Sequence, residues 1–173
     1  MKTLKAITFT LFIFFSLHLL AQTENPRVEG GLSWYTDLTK ANDVSKTSGK
    51  PIFALFTGSD WCGWCKKLQR EVFAKQEFID WANKNVVLLE LDFPRYKQLS
   101  AELKKQNQDL MNHFQVQGFP TVWMFNLAID EKTKAQSFTP FGSCGYPENP
   151  EAGKEQVAFL KDANSILAKK SGK

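Results

Sequence analysis

Three short apolar runs stand out along the chain: Ile52-Phe53-Ala54-Leu55-Phe56, Val86-Val87-Leu88-Leu89-Glu90-Leu91-Asp92 and Thr121-Val122-Trp123-Met124-Phe125. The first two lack polar alternation, which predicts strands covered on both faces, and Pro94 ends the second. Between these runs the period becomes helical. Leu38, Ala41 and Val44 predict a helix that is capped by Asp37 or Thr39 and stopped by Gly49-Lys50-Pro51. From Cys62 onward Leu68 and Val72 share one face, while Lys66, Lys67, Gln69 and Arg70 occupy the other. Phe73, Phe78, Ile79, Trp81 and Ala82 continue the apolar set as a second helix after a break near Ala74. Residues 98–114 predict a polar helix with Leu99, Leu103, Leu110 and Phe114 inward. Residues 155–169 predict a closing helix with Val157, Leu160, Ile166 and Leu167 inward. Leu32-Ser33-Trp34 reads as a short edge strand, 130–134 as a hairpin turn, 135–141 as its returning strand and 142–153 as a loop. Strands alternating with helices in this order predict an α/β fold, a central mixed β-sheet flanked by helices on both faces.

Chemistry enters where the first buried run meets its helix, at Cys62-Gly63-Trp64-Cys65. A Cys-x-x-Cys at a strand–helix junction is the pattern of a redox site, and in isolation also of half a zinc site. Cys62 falls at the helix N-terminus, where unpaired N–H groups and the helix dipole stabilise a thiolate. Cys65 lies one turn on, within reach of Cys62. One sulfur is thus placed to attack a disulfide and the other to resolve the mixed disulfide, with no bound cofactor required. Each pK unit taken off the attacking thiol is worth about 1.4 kcal/mol, and about 30 mV of potential has the same worth for this couple.

The N-terminus has a separate reading. Lys2 and Lys5 precede a nearly continuous apolar stretch to Leu20, and Ala21 offers a small residue before Gln22. Residues 1–21 therefore read as a signal peptide. The stretch is short for the roughly 20 residues of a spanning helix, although bulky Leu19 keeps an uncleaved anchor open as the alternative. Residues 22–31 read as a flexible lead-in. Loss of two lysines from a net charge of +4 leaves +2, which gives no reason to expect nucleic acid as a partner. Export places all three cysteines where disulfides persist, in the periplasm or outside the cell, and leaves Cys144 unpaired. With His18 in the leader, His113 is the one other histidine, which argues against a His-rich metal site.

Trp61-Cys62-Gly63-Trp64-Cys65-Lys66 after a buried strand, followed by Gly118-Phe119-Pro120-Thr121 before the next, resembles the thioredoxin superfamily. The longer string from Gly58-Ser59-Asp60 to Glu71-Val72-Phe73 is similar to exported bacterial members and to the periplasmic C-terminal domain of the Dsb-system electron transporter. The resemblance implies a thioredoxin-like domain over residues 32–170. It implies Cys62 and Cys65 as the catalytic pair, and a substrate-contacting rim of Trp61, Gly63, Trp64, Phe119 and Pro120. It further implies a cis Pro120 facing the disulfide, with the Phe119 backbone pairing to an extended substrate. Two positions depart from the family. Six residues before Cys62, where a buried acid is common, stands Phe56. Glu90 and Asp92 are the nearest acids by topology, but a solvated strand end with an ordinary turn Asp is the plainer reading of them. Gly63-Trp64 matches neither the reducing nor the isomerase dipeptide. Cys144 sits in the family's active-site-side loop, which suggests a regulatory role, whereas a free buried thiol is the plainer reading.

The expected function is an exported thiol–disulfide oxidoreductase, a reductase or shuttle. Its partners would be protein thiols and disulfides together with a membrane electron donor or acceptor, and it would work as a monomer with no membrane span after loss of the leader. A soft-metal carrier with Cys62 and Cys65 as thiolate ligands, or a partner-binding module on the same fold, is the competing reading.

Overall fold

A computed structural model describes residues 26–171; the leader reading of 1–21 and the first part of the lead-in lie outside the described residues. One six-stranded sheet runs through the molecule. Its strands are β1 (Arg27–Glu29), β2 (Leu32–Tyr35), β3 (Ile52–Thr57), β4 (Val87–Asp92), β5 (Thr121–Ile129) and β6 (Gln136–Cys144), in spatial order β1-β2-β4-β3-β5-β6. The β2–β4 and β4–β3 pairs are parallel, and the remaining neighbours are antiparallel. Five helices cover it: α1 (Leu38–Ser48), α2 (Gly63–Leu68), α3 (Gln76–Asn85), α4 (Ala101–His113) and α5 (Glu155–Ala168).

β3 is central and wholly buried, and its alternate side chains serve two cores. Phe53 and Leu55 face α2, α3 and α5, whereas Ile52, Ala54 and Phe56 face α1 and α4. On the first side the Phe53 ring lies 5.9–6.4 Å from Trp34, Phe73, Phe78, Trp81 and Phe159. On the second, Phe114 packs against Phe56, Trp123, Phe125 and Phe138.

Helix boundaries follow local chemistry. Asp37 caps α1 by accepting the Lys40 N–H, and Gly49 closes it in a left-handed conformation at φ 70°. Ser100 caps α4 through the Leu103 N–H, so Leu99 lies ahead of the helix. α2 does not simply break near Ala74. It widens into one π turn, Gln69–Phe73, with the Ala74 N–H bonded to the Gln69 carbonyl at 2.9 Å. The extra residue lets consecutive Val72 and Phe73 both point inward.

Several expectations are corrected. β2 is not an edge strand, because Arg27–Glu29 from the supposed lead-in pairs along its outer side. All three residues of β1 are exposed, so no apolar pattern announced the strand. In α5 the inner face is Phe159, Ala163 and Ile166, while Val157 is 54 % exposed. In α4 buried Asn107 shares the inner stripe, donating to the Asp92 carbonyl at 2.8 Å. The returning strand continues three residues beyond Phe141 to Cys144, with an irregular register opposite Met124 and Phe125, near Pro140 and Gly142.

Phe53 is the hub of the larger core. Phe53→Ala is expected to lower unfolding free energy by about 3–5 kcal/mol in chemical denaturation, and a loss below about 1 kcal/mol would contradict the packing described.

Candidate active site

The loop from β3 to α2 places the two cysteines. The Trp61 and Cys62 N–H groups both donate to the Gly58 carbonyl, at 3.2 and 2.8 Å, which turns the chain sharply. Cys62 then occupies the N-cap of α2, with extended backbone, and its Sγ accepts the Cys65 N–H at 3.2 Å. Cys62 and Cys65 form a disulfide with Cα atoms 5.3 Å apart. Both are nearly inaccessible, at 6 % and 3 % exposure. Cys62 Sγ lies 3.7 Å from the Phe119 carbonyl oxygen, and the Phe119–Pro120 peptide is cis.

Two carboxylates hold this loop. Asp92, at the end of β4, accepts the Ser59 N–H at 2.8 Å and the Ser59 hydroxyl at 2.6 Å. Asp60 reaches the segment after β4 and accepts the backbone N–H groups of Arg95, Tyr96 and Lys97 at 2.8–3.1 Å. Desolvation pulls the Asp60 carboxyl upward, but these amide donors together outweigh it and hold it below its ordinary value.

Trp61 is held by several neighbours. Its indole N–H donates to the Phe93 carbonyl at 2.8 Å, the Arg95 guanidinium carbon lies 4.0 Å over the ring, and Phe119 packs beside it. Phe93 stacks on Phe119 with centroids 5.1 Å apart. Gly58 lies under the indole, where an added Cβ would meet ring atoms at 2.5–2.8 Å.

Across the disulfide stands a second aromatic cluster. Trp64 is 58 % exposed and packs on Tyr146, with Lys67 Nζ 5.0 and 4.8 Å from the two ring centroids. The Tyr146 hydroxyl donates to Glu71 at 2.5 Å. That bond, with Arg70 and Lys67 nearby, lowers the Glu71 pKa. Desolvation first, and the same bond second, push Tyr146 up to about 12.

The structure thus gathers Trp61, Cys62, Cys65, Phe119 and Pro120 at one point, with Trp64 on its rim. Gly63 is exposed, and a Cβ there would meet nothing within 4 Å. Cys144 ends β6 rather than lying in a loop, and burial, with Asp162 adding to it, pushes its thiol up to about 12. Partly buried, it packs against the larger core, and burial of this kind favours the thiol over the thiolate. Glu90 and Asp92 are each 9 % exposed, so the solvated strand end is overturned for both. Among the described residues no three His, Cys, Asp or Glu side chains gather as metal ligands. Tyr146, Arg95 and Phe93 join the site from segments 31 or more residues from Cys62. No local spacing signals such contacts.

Comparison with known proteins gives a consistent picture. The pattern of the thioredoxin-like domain family matches residues 38–130. The chain is 34 % identical over 125 residues to the disulfide bond reductase DsbH of Chlamydia pneumoniae, covering 72 % of this chain and 74 % of that protein. It is 31 % identical over 167 residues to the thioredoxin-related protein DsbJ of the same species, covering 96 % of this chain but only 45 % of that protein. Among solved structures, a DsbH oxidoreductase superposes with a TM-score of 0.64 at 30 % identity, over 79 % of this chain and 85 % of that one.

Gly58→Ala is expected to expel the Trp61 indole from its place. The tryptophan emission spectrum should shift, and stability should fall by about 1–3 kcal/mol. An unchanged spectrum with unchanged stability would refute the close packing of Gly58 on Trp61.

Proposed function

Because this chain belongs to the thioredoxin-like domain family, we propose that it is an exported thiol–disulfide oxidoreductase whose redox pair is Cys62 and Cys65. The observation that carries this reading is the Cys62–Cys65 disulfide at the N-terminus of α2, beside the Phe119 carbonyl. In the reduced protein Cys62 is the nucleophile. The Cys65 N–H and the other free amides of the first turn stabilise its thiolate. It attacks a substrate sulfur and forms a mixed disulfide. Cys65 then attacks Cys62, the Cys62–Cys65 bond forms, and the substrate leaves as a thiol. Trp61, Trp64, Phe119 and Pro120 form the contact surface for the substrate segment.

The direction is reducing or shuttling. The likeness to a disulfide bond reductase supports it. The substrates are protein disulfides, and the electrons come from a membrane donor of the Dsb type. The leader-like residues 1–21 support export to a periplasm. Among the described residues no helix is long and apolar enough to cross a membrane.

Cys62→Ser is expected to abolish insulin reduction. Cys65→Ser should retain attack and accumulate a mixed disulfide, detected by mass. Full activity of Cys62→Ser would overturn the assignment. A reductase should equilibrate in thiol–disulfide buffers near roughly −270 mV, whereas roughly −120 to −180 mV would place it among oxidants and isomerases.

A further inference from the structure

Resolution of a mixed disulfide leaves one proton to be accounted for. Cys65 is 3 % exposed, and its thiol must shed a proton before its sulfur attacks Cys62. A cleft of about 230 Å³ reaches Cys65 from the β1 side, and Arg27, Thr57, Ser59, Glu90 and Lys97 also line it. At about 30 Å³ per water molecule, the cleft has room for a short chain of water between thiol and carboxyl.

The sheet decides which acid faces that cleft. Phe56, six residues before Cys62, points into the α1–α4 core. Leu55 and Leu88 point into the opposite core, beneath α2. Glu90 pairs in register with Leu55 and lies two residues from Leu88, so alternation sets its side chain on the α2 side. Asp92 lies on the same side, but both of its oxygens are taken by Ser59. It does not line the cleft that reaches Cys65, although it shares a neighbouring cavity with Glu90 and Arg27. Glu90 is held by Arg27 of β1, whose Nη2 donates to Oε2 at 2.7 Å. A charged pair at this depth on a central strand gives little net stability, and the redox cycle described above leaves it unused.

We propose that Glu90 accepts the Cys65 proton through this cleft during resolution of the mixed disulfide. The inference rests on the redox reading of the Cys62–Cys65 pair. The step balances. The Cys65 S–H proton passes by water to the Glu90 carboxylate, and the Cys65 sulfur bonds to Cys62. The Cys62–substrate bond breaks with its electron pair on the departing sulfur. The substrate is reduced by two electrons and the protein is oxidised by two. The cleft opens to solvent, so Glu90 returns its proton to bulk water.

The charged groups facing Glu90 are Arg27 and Glu29 from β1, Asp92 on its own strand, Lys97 beyond that strand and Lys66 from α2. Burial pushes the Glu90 carboxyl above its ordinary 4.5. Arg27 and Lys97 oppose the shift, while Asp92 and Glu29 add to it. A base with a raised pKa is better matched to proton transfer near neutral pH. Only the ionised form accepts a proton, so resolution should quicken as pH rises through this pKa and fail as pH drops through it.

The test uses reduced protein in a Cys144→Ala background, mixed with an excess of a chromogenic aromatic disulfide in stopped flow. Attack by Cys62 releases a first coloured thiolate, and resolution by Cys65 releases a second. Glu90→Gln is expected to leave the first phase within about twofold and to slow the second by about tenfold or more. It should also remove the acid limb from the second phase's pH profile. Glu90→Asp, which keeps a carboxylate in the cleft, should restore that limb. A second phase with unchanged rate and pH profile in Glu90→Gln overturns the proposal, and so does equal slowing of both phases. Absence of a second phase in the parent protein would instead defeat the redox reading itself.

Discussion

Two aspartates on either side of one junction hold the site together. Asp92 reaches forward from β4 to the amide and hydroxyl of Ser59, and Asp60 reaches out from the adjoining turn to three successive amides beyond β4. Backbone N–H groups at such a turn lack partners of their own and would otherwise need water. By satisfying them, the two carboxylates join the ends of neighbouring parallel strands into one rigid corner. The position of Cys62 at the head of α2 follows from that corner, and so does the shelf of Phe93 and Arg95 on which Trp61 rests. Hydrogen bonds to charged acceptors are roughly twice as strong as neutral ones, so a cluster of them can hold a short polar loop still.

The central strands and the redox pair were legible in the sequence because their signals are local. Phe53 and Phe56 sit in a run with no polar break, and such a run fits only a strand covered twice. Cys62 and Cys65 carry their own spacing. What escaped depends on partners far along the chain. β1 has no buried residue, so its pairing with β2 left no periodicity to read. The inner face of α5 is formed by Phe159 and Ala163, and small Ala163 is buried in the larger core, where its size gives no apolar signal. Asn107 breaks the apolar stripe of α4 because a carbonyl of β4 waits opposite it. Cys144 reads as a loop residue and the structure shows strand there, because β6 runs on to it, while the plainer reading of it as a packed free thiol agrees with its contact with the larger core.

Glu90 illustrates how acids at a strand end can mislead. Glu90-Leu91-Asp92 has the alternation of a solvated end, yet both acids are buried. Their partners come from Ser59 and from Arg27, which is 63 residues away from Glu90. The first strand of the domain thereby supplies the counter-charge for a carboxylate at its centre. A three-residue strand at the exposed edge of the sheet is thus coupled to the electrostatics beneath the redox pair.

The margins of the sheet have a consequence of a different kind. One edge is β1, three residues long and charged at two of them. The other is β6, where Pro140 removes a donor and the register slips opposite Met124 and Phe125. Short, charged or kinked edges are poor templates for another chain to add itself as a further strand. Association between copies of the chain is therefore resisted at the two borders of the sheet. With both borders closed in this way, copies of the chain find no open sheet edge on which to stack.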